Sequence, residues 1–140
     1  MKGKLIWSIF WALVGVFVIA VTIIFTLVDL LVGMERYVFF VSVGIGLTGL
    51  GVTLLVLTAK AKAERRLKKF LLLTGASAVG LPVFAILHNA VSALLNMEEA
   101  VFFTLATIVC PIGFLVGAIG SIVLRVKKSR TEKKLAHGPR

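Results

Sequence analysis

Long, uninterrupted apolar runs dominate the pattern of hydrophobic and polar positions along the chain. Four of them lie at residues 5–28, 38–59, 70–95 and 101–124, and none contains Asp, Glu, Lys or Arg. Each run exceeds the roughly 20 residues that a helix needs to cross a hydrocarbon core. The runs lack the alternation of a membrane strand, and a helix satisfies all its backbone groups within the span. The pattern therefore predicts an all-α fold, an integral membrane four-helix bundle of two tandem transmembrane hairpins.

Composition agrees with this prediction and leaves no room for a separate soluble domain. Of the 140 residues, 59% are apolar and 16% are charged, whereas soluble domains carry about 25% charged residues. We therefore treat residues 1–140 as a single transmembrane domain. Lys2 and Lys4 give the first run the basic start of a secretory signal, but the run is too long and no small-x-small cleavage site follows. We expect it to be retained as the first span.

Basic residues are concentrated on one side of the predicted bundle. Fifteen of the 16 Lys and Arg residues lie before the first run, between the second and third runs, or after the fourth. The other side holds one basic and four acidic residues, Arg36, Asp29, Glu35, Glu98 and Glu99. By the positive-inside rule, we expect both termini to face the cytoplasm, with residues 127–140 as a basic cytoplasmic tail. We expect the protein to reside in the cell (plasma or inner) membrane.

The basic side also predicts what the protein touches there. We expect these basic side chains to contact anionic lipid headgroups and not nucleic acid. Each Lys or Arg near such a surface contributes about 1 kcal/mol of favourable electrostatic free energy. Residues 59–69 are mostly good helix formers. We therefore expect the second and third helices to extend into the headgroup layer.

The two outer loops resemble each other. Residues 34–40 and 97–103 are identical at five of seven positions, 63 residues apart. The same spacing, carried back to residues 12 and 75, adds four identities. This favours a duplicated hairpin, residues 12–59 and 75–124, whose copies are related by an axis along the membrane normal. Chance likeness between two apolar segments is the alternative.

Small residues predict where the third and fourth helices approach each other. Gly75 and Gly80 lie on the third helix, and Gly113, Gly117 and Ser121 follow at a spacing of four on the fourth. In lipid, small residues let helix backbones come close. A hairpin turning near residue 98 sets Gly75 beside Ser121 and Gly80 near Gly117. We expect a close contact in the cytoplasmic half.

Two prolines, Pro82 and Pro111, lie near the middle of these helices. Each removes a backbone donor, so we expect a kink at each position. The kinks serve either as hinges beside a cavity or as ordinary packing geometry.

His88 and Asn89 are the most polar pair inside any run. They lie about 10 Å below the outer end of the third helix. The hairpin sets Asn89 level with Thr107 and Ser92 level with Thr104, which predicts a polar layer in the outer half. Three roles for His88 stay open: a hydrogen bond that holds helix register, a solute or proton path, and contact with a haem or quinone.

The sequence offers little else for chemistry. Cys110 is the single cysteine, so neither an intrachain disulfide nor a Cys-x-x-Cys pair exists. Zinc needs three or four ligands, and the second histidine, His137, lies in the tail. No Ser-His-Asp set, carboxylate pair or phosphate-binding loop can be assembled. We expect no enzyme activity, no cofactor and no metal.

Two stretches resemble a known family. Residues 74–84, continuing to 87–89, read Thr-Gly-Ala-Ser-Ala-Val-Gly-Leu-Pro-Val-Phe and then Leu-His-Asn, and residues 110–117 read Cys-Pro-Ile-Gly-Phe-Leu-Val-Gly. Over about the last 60 residues the chain is similar to uncharacterised small four-pass membrane proteins of prokaryotes, which have no assigned function. The resemblance implies no activity. It draws attention only to Pro82, Pro111, His88 and Asn89.

Abundant packing residues and scarce chemistry predict the functional class. We expect a small multi-pass membrane protein that acts as a non-catalytic accessory or scaffold subunit, bound to a membrane-protein partner or to further copies of itself. The alternative is a small solute or proton transporter, or a channel subunit, that uses the outer polar layer around His88.

Overall fold

The chain is helical almost throughout the part that its computed structural model describes, residues 2–27, 34–96 and 100–136. No strand occurs within these ranges. The elements are α1 (Lys2–Leu27), α2 (Met34–Lys60), α3 (Arg65–Leu95), α4 (Ala100–Thr104), a π-helical turn (Leu105–Val109) and α5 (Cys110–Ala136). We refer to α4, the π-helical turn and α5 together as the fourth helix.

Four helices of the described part are long and apolar enough to cross a membrane. They cover Gly3–Ile23, Val38–Lys60, Arg65–Leu95 and Ala100–Lys133. The predicted all-α four-helix bundle is thereby confirmed, and the chain is a small multi-pass membrane protein. The fourth helix runs on beyond the predicted end of the last span at residue 124, which adds roughly 18 Å of helix at about 1.5 Å per residue.

The helices pack in chain order, with α3 in a central position. α1 packs on α2, α2 on α3, and α3 on the fourth helix. α1 and α5 meet through large side chains: the Phe17 and Phe114 rings stack with centroids 4.1 Å apart. α3 has close neighbours on two sides, and its buried residues are mostly small, namely Thr74, Gly75, Ser77 and Ala78 beside Leu71.

The buried core lies almost entirely in one half of the bundle. We call residues 2–20, 47–78 and 110–136 the basic half, because it holds the basic connection and the basic end of α5. The remaining described residues form the opposite half. The largest fully buried apolar side chains all lie in the basic half: Phe10, Leu13, Leu47, Leu54, Leu71 and Phe114. Where burial is described, Ala106 is the one buried hydrophobic residue of the opposite half.

The connection at the basic end is a short, well-bonded turn. The Ala61 N–H donates to the Thr58 carbonyl (3.2 Å), and the Lys68 N–H donates to the Glu64 carbonyl (2.9 Å). The Lys68 ammonium donates to the Ala59 carbonyl (2.7 Å), where a cation also meets the negative end of the helix dipole. Helix covers most of the 59–69 segment, since only residues 61–64 separate α2 from α3. That these helix ends enter the headgroup layer stays a prediction.

Glycines mark the closest approaches between helices, and they correct the predicted pairing. A Cβ built on Gly75 would lie 3.1 Å from the Gly51 carbonyl oxygen, so Gly75 faces α2 and not Ser121. A Cβ on Gly117 would lie 2.7 Å from the Thr74 nitrogen, about one and a half helical turns from the predicted partner Gly80. Gly80 instead meets the Cys110 sulfur.

The predicted close approach of the third and fourth helices in this half is confirmed, but its register is wrong. Gly113 faces Ser77, and Gly120 faces the Phe70 ring, in line with the Gly117 contact. α3 ends at Leu95, where the predicted run also ends, and Asn96 adopts the left-handed conformation (φ 49°) of a helix C-cap. The position of the turn does not fix the register by itself, because two helices can pack with different rotations and shifts along their axes.

The two prolines have different consequences. α3 continues through Pro82 without interruption, and the ring lies beside Gly44 of α2, 3.6 Å from the position of a Cβ there. Pro111 directly follows the π-helical turn, in which the Cys110 N–H donates to the Leu105 carbonyl five residues earlier. A proline has no N–H to donate to the carbonyl four residues back, and its ring crowds that carbonyl. The wider π-helical turn relieves this crowding.

Burial follows the 63-residue spacing on α2 and α5. The buried positions Leu47, Gly51, Leu54 and Thr58 correspond to Cys110, Phe114, Gly117 and Ser121, all of which are buried. α1 and α3 do not correspond in this way: Leu13 is fully buried, whereas its counterpart Ala76 is exposed. α1 and α3 differ in which positions are buried because of their places in the bundle: α3 packs between α2 and the fourth helix.

Candidate functional site

The residues of the predicted polar layer all lie in the opposite half, on α3 and the fourth helix. Asn89, Thr104 and Thr107 are exposed, while His88 and Ser92 are half-buried. The three exposed side chains donate to carbonyls four residues back on their own helices, those of Ala85 (3.0 Å), Ala100 (2.8 Å) and Phe103 (2.7 Å) respectively. In these bonds they satisfy themselves locally and do not bridge the two helices.

His88 packs against the fourth helix through a ring contact. Its imidazole lies 5.4 Å from the Phe103 ring, centroid to centroid. One turn deeper along α3, Phe84 stacks on Phe102 at 6.3 Å. The prediction set Asn89 level with Thr107 and Ser92 level with Thr104. Both pairings carry the register error described above, because His88 lies beside Phe103, where the prediction placed residue 108. These ring pairs hold α3 against α4.

The polar layer does not continue through the interior of the basic half. There the space between the helices is filled mainly by apolar side chains such as Leu13, Leu47 and Leu71. The buried polar side chains of the described residues are the hydroxyls of Thr58, Thr74, Ser77 and Ser121. Cys110 is buried against Gly80, as expected of a small apolar thiol. In residues 2–27, 34–96 and 100–136, no group of three His, Cys, Asp or Glu side chains is placed to hold a metal ion.

Two buried hydroxyls in the basic half have no hydrogen-bond partner. They are Thr58 Oγ1 and Ser121 Oγ, and both residues are fully buried. Other threonines, such as Thr48 and Thr74, donate to the carbonyl four residues back. Sequence analysis missed Thr58 and treated Ser121 only as a packing residue. The 63-residue spacing that relates them was the available signal.

A groove lined by aromatic and basic residues lies between α1 and α5 at the basic end. Its volume is about 400 Å³, and it is lined by Lys4, Trp7, Ser8, Trp11, Ile122, Arg125 and Val126. The Arg125 guanidinium lies over the Trp7 ring, 3.9 Å from its centroid. Sequence analysis did not single out this groove. The signal was a pair of tryptophans one turn apart next to Lys4, but only the fold brings Arg125 to them.

The surrounding charge is strongly positive. The antiparallel helices bring the start of α1, residues 60–69 and the end of α5 to the same end of the bundle. Lys128 and Glu132 form an exposed ion pair with 3.9 Å between nitrogen and oxygen, and such pairs contribute little to stability. The net charge of +10 is therefore gathered mainly at this end.

No protein-family model, curated protein or solved structure matches this chain. The resemblance to small four-pass prokaryotic proteins stays a prediction.

Proposed function

We propose that this protein is a non-catalytic accessory or scaffold subunit that binds another membrane protein, or further copies of itself, through the opposite half of its bundle. One observation carries the proposal: Asn89, Thr104 and Thr107 are exposed on helices that cross the membrane. Such side chains can hydrogen-bond across helices in a membrane, and three of them lie on α3 and the fourth helix in the half with little buried core. We name these three residues the polar face.

The filled interior of the basic half supports a binding role over a pore within one bundle. A solute path along the bundle axis would need polar or open space there, but Phe10, Leu54 and Phe114 are fully buried in that region. A partner helix at the polar face requires no such path.

We also propose which side of the membrane the termini face and in which membrane the protein resides. Both termini and residues 61–64 lie in the cytoplasm, and the protein resides in the plasma or inner membrane. The gathering of basic side chains at one end supports this orientation through the positive-inside rule. Accessibility labelling of single cysteines in a Cys110→Ala background tests it. Labelling from outside at residue 62 or 130 would contradict the orientation.

The proposal also includes the duplication of one hairpin. The matching burial of α2 and α5 at the 63-residue spacing supports it, beyond the identities in the loops. Residues 97–99 of the second loop lie outside the described residues.

Crosslinking in native membranes tests the subunit role. A photoreactive residue placed at Thr107 is expected to crosslink to a second protein or a second copy, whereas the same group at Thr53 is expected to react mainly with lipid. Thr53 is a matched control, because it too is exposed and donates to the carbonyl four residues back, that of Gly49. A monomer in mild detergent, with no protein crosslink from Thr107, would contradict the proposal.

A transport role is the second candidate. The observation that favours it is the half-buried His88 near the exposed Asn89, in a half of the bundle with few buried side chains. Flux of protons and small solutes into liposomes tests it, with His88→Ala and Asn89→Ala compared against Thr53→Val. A flux that is the same with and without the protein would reject this candidate.

A further inference from the structure

The groove between α1 and α5 combines features that suit a phospholipid headgroup at the membrane surface. Lys4 and Arg125 stand on its two helices, and both are exposed. Arg125 is the first charged residue after the fourth apolar run, so the groove lies where hydrocarbon gives way to headgroups. Tryptophan favours this same depth.

The contact between Arg125 and Trp7 orients the guanidinium for phosphate binding. The guanidinium carbon lies 3.9 Å from the centre of the Trp7 ring, over its face. A guanidinium held over an aromatic face keeps N–H donors in its own plane, and the planar fork matches two phosphate oxygens. The contact therefore positions a cation without consuming its hydrogen-bonding edge.

Other residues of the groove supply a hydroxyl donor and apolar surface for the lipid. The Ser8 hydroxyl is exposed beside the two cations and can donate to a phosphate or glycerol oxygen. Trp11 is 54% exposed and Val126 is 45% exposed, which leaves apolar surface for the first part of an acyl chain. None of the groove-lining residues is acidic.

From this arrangement we infer that the groove between α1 and α5 binds the phosphate of one anionic phospholipid, such as phosphatidylglycerol. Basic pockets between transmembrane helices are suited to such headgroups. The inference does not depend on the proposed subunit role, and the proposed orientation only decides that the cytoplasmic leaflet supplies the lipid.

Tryptophan fluorescence gives a direct test, because the chain has two tryptophans and both line the groove. The full-length protein in phosphatidylcholine nanodiscs is mixed with phosphatidylglycerol or phosphatidylcholine that carries brominated chains, which quench nearby tryptophan. We expect brominated phosphatidylglycerol to reach half-maximal quenching at a mole fraction at least about fivefold lower than brominated phosphatidylcholine, since one headgroup charge is worth about 1 kcal/mol.

Three variants connect that preference to the groove. Arg125→Gln and Lys4→Gln are each expected to lower it about fivefold, whereas Arg125→Lys keeps most of it. Lys69→Gln is the matched control, because it removes the same charge at the same end from α3, which contributes no residue to the groove. Circular dichroism shows whether each variant keeps its helices.

Several results would overturn the inference. Equal quenching by the two lipids would do so, and so would equal effects of Arg125→Gln and Lys69→Gln. If Arg125→Gln does not fold, loss of the preference in a folded Lys4→Gln variant still supports the site, and its retention contradicts it. Displacement of the lipid by millimolar inorganic phosphate would reassign the groove to a soluble anion.

Discussion

The two halves of this bundle use the same helices but are built differently. The basic half has a closed apolar core, with glycines at the closest approaches of α3 to its neighbours. The opposite half has few buried side chains among the residues whose burial is described, together with exposed polar groups and a π-helical turn. Hydrophobicity does not separate the two halves, since both lie in apolar runs. The halves differ in packing instead, since the buried aromatic rings of the described residues, Phe10, Phe17 and Phe114, all lie in the basic half. Packing and not water exclusion holds helices together in lipid.

Most of the packing lies in the basic half, and the proposed surface for a protein partner lies in the opposite half. Tight packing resists change, whereas exposed polar groups on a loosely packed surface are available to a partner. Three sets of substitutions test this division, in order of decreasing effect.

Truncating an aromatic side chain in each half gives the largest expected difference. Phe114→Ala removes a fully buried ring that stacks on Phe17, and we expect it to lower the free energy of unfolding by about 3 kcal/mol. Phe102→Ala removes a half-buried ring of the opposite half, and we expect about 1 kcal/mol. Thermal or denaturant unfolding in detergent, followed by circular dichroism, measures both. Equal losses would remove the distinction between the halves.

Adding one methyl group at a close approach comes next. Gly117→Ala places a Cβ 2.7 Å from the Thr74 nitrogen and 2.9 Å from the Phe70 carbonyl oxygen. The backbone atoms cannot rotate away, so we expect a loss of about 2 kcal/mol. Gly49→Ala adds the same methyl where nothing lies within 4 Å, and it is expected to be neutral or slightly stabilising. A neutral Gly117→Ala would mean that α3 and α5 are further apart than described.

Replacing the buried hydroxyls has the smallest expected effect and the opposite sign. Thr58→Val and Ser121→Ala each remove an unpartnered polar atom, so we expect each to raise the free energy of unfolding by about 1 kcal/mol. Thr74→Val is the control, because its hydroxyl already donates to the Phe70 carbonyl and should bring no gain. Destabilisation by Thr58→Val would indicate a bound water or ligand at that hydroxyl.

Sequence reasoning located the spans closely but misplaced the contacts between them. The predicted limits at 38–59 and 70–95 fall within α2 and α3, because an apolar run of that length permits only a helix across the membrane. Register failed because it depends on the rotation and relative shift of the two helices, which an apolar run and its limits do not encode. A shift of a few residues between the helices moves every pair along the hairpin, as the contacts of Gly113 with Ser77 and Gly117 with Thr74 show.

The candidate functional site, like the helix contacts, could be predicted from the sequence only in part. Composition identified His88, Asn89, Ser92, Thr104 and Thr107 as unusual within apolar runs, but it placed Asn89 and Thr107 side by side. The structure instead leaves Asn89, Thr104 and Thr107 exposed, each bonded to its own helix. Whether a polar side chain faces a neighbour or the surroundings depends on helix rotation, which a nearly uniform apolar sequence barely encodes.

The sequence alone determined that this chain is helical and crosses the membrane four times, because backbone groups must be satisfied inside lipid whatever the neighbours are. Only the tertiary structure decided which residues meet. It placed Gly75 against Gly51, left the hydroxyls of Thr58 and Ser121 without partners, and brought Arg125 onto Trp7 from the far end of the chain. These pairings depend on the rotation and depth of whole helices, which are set by close contacts distributed along their entire length.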